Sequence, residues 1–252
     1  HYGSAYFDGV IIAFMLIAGI NFSLHYKALK GDPLIFGRNP ECRAFLWITA
    51  MCIAAVALDI YGSVYDSLST AFRHSAFQVS SILTTTGFIT QDYEKWPVFS
   101  RHVLLICMFL GGMAGSTGGG IKIMRVMLMA RHSYKQILGI VHPHAVFTVK
   151  LGGKAVPQDV IGSIWGFFAL YLGLFLAATL VMASLGLDFV SAFGSVVACI
   201  GNVGPGFGIV GPVENYSVIP VAGKWVLMFC MLLGRLEIYT LLVLLVPEFW
   251  RR

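Results

Sequence analysis

Charged side chains are scarce in this sequence. Only 12% of its 252 residues are Asp, Glu, Lys or Arg, against about 25% in an average soluble domain. This scarcity excludes a water-soluble globule of this length, and the hydrophobic share of 58% excludes disorder. Because the apolar residues also occur in long runs, and the mean hydropathy is +0.80, the sequence predicts an integral membrane protein.

The sequence also lacks the patterns of cysteine chemistry and of secretion. Its five cysteines form no C-x-x-C pair and lie mostly in apolar runs, which excludes a zinc site or a disulfide framework and favours inert buried thiols. The net charge of +5 would suit nucleic acid, but the basic residues lie between apolar runs, so we expect membrane lipid and no nucleic acid as a partner. The absence of an initiator Met and of a signal peptide is typical of a piece of a longer protein.

A long apolar run followed by a shorter helix occurs twice. The long runs would cross a bilayer as helices, whereas the short segments would not. These four segments are 44–65, 67–84, 160–185 and 188–200. Each short segment leads into a glycine-containing stretch, and the corresponding glycines, Gly87 and Gly204, are 117 residues apart. The shared order and spacing predict a duplicated unit.

The duplication divides the chain into three parts. Residues 44–135 form the first unit and residues 157–252 the second unit. Residues 1–30, whose apolar run 8–26 predicts one helix, match only the last helix of a preceding unit, and we expect the rest of that unit to lie before His1.

Basic residues in the connecting segments predict the orientation. Segments 27–43, 122–159 and 248–252 together hold twelve basic and four acidic residues, so we expect them on the cytoplasmic side. Both shorter helices and the loops that follow them then lie at the outer face.

The loops at 84–88 and 201–208 suit cation binding. Irregular backbone survives at membrane depth only inside protein or beside a water-filled pathway. A short helix followed by an extended, glycine-containing strand can aim carbonyl oxygens at a dehydrated cation, and threonine adds a hydroxyl acceptor. Re-entrant loops that merely pack are the alternative.

A third irregular stretch interrupts the apolar run 98–130. Six of the ten residues 111–120 are glycine, so a regular helix is not expected there. A phosphate-binding loop is excluded, because Ile121 precedes Lys122 and no Ser or Thr follows it. Two interpretations stay open: a motif for close helix packing, and a broken helix whose irregular middle lies in a pore.

Arg235 lies deep within the last apolar run, 219–246. A charge at mid-membrane costs about 2.5–3.5 kcal/mol on insertion scales, so such a residue faces a cavity or a partner. Arg235 is therefore either half of an ion pair with another helix or a positive charge that lines a pore.

Three motifs together resemble the Trk/Ktr/HKT superfamily of potassium transporters, and its bacterial TrkH type most closely. They are Thr84-Thr85-Thr86-Gly87-Phe88, Gly115-Ser116-Thr117-Gly118-Gly119-Gly120-Ile121-Lys122 and Gly201-Asn202-Val203-Gly204-Pro205-Gly206. The resemblance covers the whole chain. It implies an all-α membrane protein of repeated helix–pore-loop–helix units around a central ion pore, with one broken helix, and it makes the two units the third and fourth of the family. It also implies channel-like potassium uptake across the bacterial cytoplasmic membrane, with K⁺ as the transported ion, no organic cofactor and no enzyme activity.

The resemblance assigns roles to residues. The implied ion filter comprises Thr85, Thr86, Gly87, Phe88, Asn202, Val203, Gly204 and Pro205. The implied K⁺ sites lie at Thr85, Thr86, Gly87, Val203 and Gly204. The implied gate comprises Gly115, Ser116, Thr117, Gly118, Gly119 and Gly120, with Arg235. Compared with the channel pattern T-V-G-Y-G, the first loop has a single glycine and the second has Pro205 after Gly204, which predicts fewer coordination layers and looser selectivity.

The resemblance further implies a homodimer and a cytosolic nucleotide-binding regulatory subunit of the TrkA type. The basic stretch 122–154 either docks such a subunit or only orients the chain. Whether H⁺ or Na⁺ is coupled, as in a symporter, stays open. The alternative function is a secondary transporter that binds a solute or ion at broken helices, although such folds typically invert their repeats and both units here run in the same direction.

Overall fold

The structure is a computed structural model that describes residues 3–142, 148–236 and 238–251. The described chain is mostly helical, with one small antiparallel hairpin, β1 (Lys150–Leu151) and β2 (Lys154–Ala155), between the two units. The helices in chain order are α1 Ala5–Gly19, α2 Phe22–Leu29, α3 Ile35–Arg38, α4 Pro40–Ile60, α5 Leu68–Leu83, α6 Val98–Phe109, α7 Ile123–Val141, α8 Gln158–Ser184, α9 Phe189–Ile200, α10 Val221–Arg235, α11 Ile238–Leu242 and α12 Pro247–Trp250.

The two long apolar runs form α4 and α8, as predicted. Both helices are long and apolar enough to cross a membrane. Helix α4 begins where the Asn39 side chain accepts hydrogen bonds from the amides of Glu41 and Cys42, with Pro40 at the first helical position. The length of the apolar run and the Asn39 cap thus determine the extent and the start of α4.

The shorter helices are also confirmed, and they form the centre of the structure. Helix α9 begins after its cap Asp188, and nine of its twelve residues are buried. Helix α5 packs against α1, α4 and α6, and α9 packs against α8 and α10. The two short helices therefore lie inside the helix packing, where most of their residues are buried.

The single helix expected over residues 8–26 is wrong. Helices α1 and α2 meet at an angle of 102°. Ile20 and Asn21 are extended, and the Asn21 side chain caps α2 by accepting the amide of Ser23. Asparagine favours the cap position over a helix interior, so the apolar run breaks there.

Two other expected segments differ from the structure. The last run, 219–246, is interrupted after α10, which ends at Arg235. Helix α7 continues to Val141, so the first part of the expected connector 131–158 is helical. In both cases the length of the apolar run did not predict where the helix ends. Helix α10 ends within an apolar run, and α7 continues beyond one.

Candidate ion pathway

Helices α5 and α9 end in turns of the same geometry, one at the first pore loop (residues 84–88) and one at the second pore loop (residues 201–208). The amide of Thr86 donates to the carbonyl of Ser81 over 2.8 Å, and the amide of Val203 donates to that of Ala198 over 2.9 Å. Both bonds span five residues, and the two sets of positions are 117 residues apart. The duplication predicted from the sequence therefore extends to individual hydrogen bonds.

Backbone dihedrals repeat in the same way. Thr85 has a φ of 55° and its equivalent Asn202 a φ of 56°, while Gly87 and Gly204 have φ values of 76° and 110°. Glycine adopts positive φ freely and Asn tolerates it, but a β-branched Thr rarely does. A strained backbone at two equivalent positions is typical of a functional site.

Several carbonyl oxygens of the pore loops lack a hydrogen-bond donor. Those of residues 85–87 and 201–203 accept no hydrogen bond from any residue that the structure describes. The carbonyl of Phe88, in contrast, accepts the Ser81 hydroxyl over 2.7 Å. Unpaired carbonyls are costly in a dry interior unless a cation or water takes the place of the donor.

The two pore loops touch each other. A Cβ atom added at Gly87 would overlap the carbonyl oxygen of Val203, and it would lie 3.2 Å from Cδ of Pro205. Gly87 of the first pore loop thus lies directly against the unpaired Val203 carbonyl of the second pore loop. Not every expected filter residue points there: the Asn202 side chain donates to the carbonyl of Met231 in α10, and the Phe88 side chain is exposed.

The break between α6 and α7 is the glycine loop (residues 110–122). Its ends pair with each other, because the amide of Gly111 donates to Ile121 over 2.9 Å and the amide of Ile121 donates to Phe109 over 2.9 Å. The interrupted helix expected within residues 98–130 is therefore present, in the form of a closed loop.

The tip of the glycine loop lies against both pore loops. The amide of Gly119 donates to the hydroxyl of Thr85 over 2.8 Å. A Cβ atom at Gly119 would lie 2.5 Å from the carbonyl oxygen of Gly201 and 3.1 Å from Cβ of Asn202. Only glycine allows this approach, which places the loop directly beside the unpaired oxygens.

The opposite side of the glycine loop is fixed to the break between α1 and α2. The Asn21 amide group donates to the carbonyl of Ala114 over 2.6 Å, and the amide of Phe22 donates to Gly115 over 3.1 Å. The buried Glu41 carboxylate accepts the amide of Ala114 over 2.7 Å. Asn21 and Glu41 therefore hold both backbone groups of one loop residue, a role that no sequence pattern indicated.

Basic side chains hold the tip from the other side. The Arg235 guanidinium donates to the carbonyl of Thr117 over 2.5 Å, and the Lys122 ammonium donates to the next carbonyl, that of Gly118. No carboxylate of the described residues pairs with Arg235, and Glu237 lies outside them. Arg235 thus joins the glycine loop to α10.

A cavity of about 300 Å³ borders the glycine loop. Its polar lining includes Lys122, Arg125 and Arg235, and Arg125 lies 4.0 Å from the centre of the Phe167 ring. A space bordered by three cationic side chains disfavours a resident cation, because like charges repel at short range in a medium of low dielectric constant.

The chain is similar in sequence and in fold to known cation transport proteins. The family described as "TrkH: Cation transport protein" matches residues 2–252. The Trk system potassium uptake protein TrkH of Salmonella typhimurium is 40% identical over 98% of this chain, and the Trk system potassium uptake protein TrkG of Escherichia coli is 37% identical over 98%. The crystal structure of the potassium transporter TrkH from Vibrio parahaemolyticus is 39% identical and superimposes with a TM-score of 0.92 over 99% of this chain and 54% of that one.

The chain spans about half the length of the curated relatives that it matches. The alignments cover 52% of the Salmonella protein and 52% of the Escherichia coli protein. Together with the apolar helices, the comparisons identify a mostly helical membrane protein.

Proposed function

The chain belongs to the TrkH family of cation transport proteins, and on this premise we propose that it forms part of a channel-like pore for potassium uptake. The observation that carries the proposal is the contact between two equivalent pore loops whose carbonyl oxygens, at residues 85–87 and 201–203, accept no hydrogen bond from the described residues. The glycine loop beside them supplies an obstruction that can move. The relatives of this chain are named as potassium uptake proteins, which favours K⁺ as the transported ion.

In this proposal the pore loops are the selectivity filter. Oxygens of Thr85, Thr86, Gly87 and Val203 replace the water shell of K⁺, with Asn202 at the inner end of the second loop. Gly204 contributes less, because its carbonyl already accepts the hydroxyl of Tyr216 over 2.6 Å and keeps one lone pair for an ion. With few layers of oxygens we expect looser discrimination of K⁺ from Na⁺ than in a four-layer filter, which competing fluxes of the two ions measure.

Two loops enclose only part of an ion. We place residues 44–135 and 157–252 as two successive units around the pore, with residues 1–30 as the end of a preceding unit, and propose that two further loops complete the ring. The homodimer and the nucleotide-binding regulatory subunit of the TrkA type belong to this same proposal. The exposed basic face of α7 and its connector would contact the regulatory subunit.

We further propose that residues 115–120 and Arg235 form the gate. Held by Arg235 and Lys122, the loop tip covers the inner end of the filter and presents positive charge to an arriving cation. Arg235→Ala removes both the tether and the repulsion, so we expect K⁺ flux to rise about tenfold, the effect of roughly 1.4 kcal/mol. Flux into liposomes measures it, and Arg235→Lys, which keeps the charge, is expected to rise less. Unchanged flux in a folded Arg235→Ala protein would assign Arg235 a structural role.

Electrical recording from the full-length protein in a bilayer tests the function itself. Ohmic single-channel currents carried by K⁺ support a pore, which the membrane potential drives with about 2.3 kcal/mol per charge per 100 mV. The interrupted helices α1–α2, α6–α7 and α10–α11 favour one alternative, a secondary transporter that binds its solute at broken helices. Saturating, electroneutral exchange without channel openings would identify that alternative.

A further inference from the structure

The two pore loops are held in place by different means. In the first pore loop, the hydroxyl of Ser81 in α5 donates to the carbonyl of Phe88 and so ties the outer end of the loop to its own helix. The equivalent residue of α9, 117 positions later, is Ala198. Because alanine has no hydroxyl, α9 cannot hold the second pore loop in the same way.

In α9 the Ser191 hydroxyl accepts only the amide of Ile209, directly after the loop, over 3.1 Å, and side chains from outside α9 hold the loop itself. The hydroxyl of Tyr93 donates to the carbonyl of Gly206 over 2.7 Å, and the Glu94 carboxylate accepts the amide of Gly208 over 2.5 Å. Tyr216, beyond the second pore loop, donates to the carbonyl of Gly204 over 2.6 Å. Three alternate residues of one loop are thus each bound by one side chain.

Two of these three side chains come from the other unit. Tyr93 and Glu94 lie in a short 3₁₀ helix, Tyr93–Lys95, that follows the first pore loop. The Asp92 side chain caps this helix by accepting the amide of Glu94, and an ion pair of 3.1 Å joins Asp92 to Lys95. Tyr93 is completely buried, with its ring edge-on to that of Phe207 at 5.3 Å. The short helix that carries Tyr93 and Glu94 is therefore rigid, and it can fix the position of the second pore loop.

We propose that Tyr93, Glu94 and Tyr216 are positioning residues that determine ion selectivity, because they set the position of the second pore loop from outside. The inference rests on the proposed function and adds to it that discrimination depends on hydrogen bonds between units. A loop fixed at Gly204, Gly206 and Gly208 cannot close inward around Na⁺, whose smaller radius requires closer oxygens. Loss of a bond allows that movement while the pore remains open.

The test is the ratio of K⁺ to Na⁺ permeability, measured from reversal potentials of the full-length protein in liposomes. Tyr93→Phe and Tyr216→Phe each remove one hydroxyl, and we expect the ratio to fall about threefold to tenfold with K⁺ current retained, since one hydrogen bond has a net effect of about this size. The matched control is Tyr239→Phe, which removes a hydroxyl that donates to Ser163 over 3.1 Å outside the pore loops. We expect the control to keep the wild-type ratio.

Two variants of Glu94 distinguish a role in positioning the loop from a role in overall stability. Glu94→Gln keeps an oxygen that can accept the amide of Gly208, so we expect a near-wild-type ratio, whereas Glu94→Ala should lower it as Tyr93→Phe does. Tyr93 and Tyr216 lie on different elements. If one of the two Tyr→Phe variants fails to fold, the other variant still tests the inference. Wild-type K⁺ current with an unchanged ratio in the folded variants overturns the inference alone, while a wild-type protein without K⁺ current contradicts the proposed function as well.

Discussion

Gly87 and Gly204 occupy equivalent positions but have different surroundings. Both have positive φ values, which an alanine tolerates at a cost of about 1–2 kcal/mol. At Gly204 no atom lies within 4 Å of an added Cβ, whereas at Gly87 that Cβ would overlap the Val203 carbonyl oxygen. We therefore expect Gly204→Ala to lower the free energy of unfolding by about 1–2 kcal/mol and Gly87→Ala to lower it further.

Thermal unfolding in detergent measures this difference. The control is Gly139→Ala in α7, where an added Cβ again meets nothing within 4 Å and the helical backbone favours alanine by about 0.5–1 kcal/mol. Equal losses for Gly87→Ala and Gly204→Ala would show that contact with Val203 does not constrain the first pore loop.

Residues that carry the site differ in how well the sequence predicted them. The glycines and threonines of the pore loops could be recognised because their backbone preferences are local. Asn21, Glu41 and Tyr93 could not, because each bonds a residue more than 70 positions away. Nor did any pattern indicate the positive φ of Thr85, since a β-branched residue is a poor candidate for it.

Among the elements, the α1–α2 break has a second role besides ending a helix. Asn21 both caps α2 and holds Ala114 of the glycine loop. Asn21→Ala removes the cap, at a cost of about 1 kcal/mol, and frees one side of the loop, so we expect K⁺ flux to increase severalfold. Flux into liposomes measures the effect.

Asp188→Ala is the control for the cap. Asp188 caps α9 by accepting the amides of Val190 and Ser191, at the end of that helix remote from the glycine loop. We expect a similar loss of stability and no rise in flux. A rise in both variants would mean that helix destabilisation, and not release of Ala114, controls the gate.

The sequence predicted helices correctly where the length of an apolar run was sufficient to define them. Helices α4, α5, α8 and α9 were predictable because the lengths of the apolar runs and the turn residues that follow them indicate them. The breaks at Asn21 and after Arg235 were not, since the apolar pattern continues through both. Residues at both breaks bond the glycine loop, so contacts between distant segments add to local preferences such as that of Asn21 for a cap position.

For the whole molecule, the charge distribution predicts its orientation in the membrane, which can be tested. Ser133 and Ser217 are both exposed, and they lie in segments predicted to face the cytoplasm and the outside, respectively. We expect a membrane-impermeant maleimide to label Ser217→Cys in intact cells and Ser133→Cys only after permeabilisation. The native thiols give little background, because four of the five are buried and Cys52 is half-buried. The reverse labelling pattern would invert the assigned topology.

The paired ends of the glycine loop limit how far a closure can travel. With Leu110 joined to Ile121, and Ala114 and Gly115 fixed to the α1–α2 break, the part that can move is at most the four residues 117–120, once their hydrogen bonds to Arg235, Lys122 and Thr85 open. Four residues reach at most about 14 Å when extended, and segments of this size rearrange in nanoseconds to microseconds. A pore closed by so short a flap would flicker: its interruptions would be brief and its open–shut transitions weakly dependent on temperature, in contrast to channels that close by rotating whole helices.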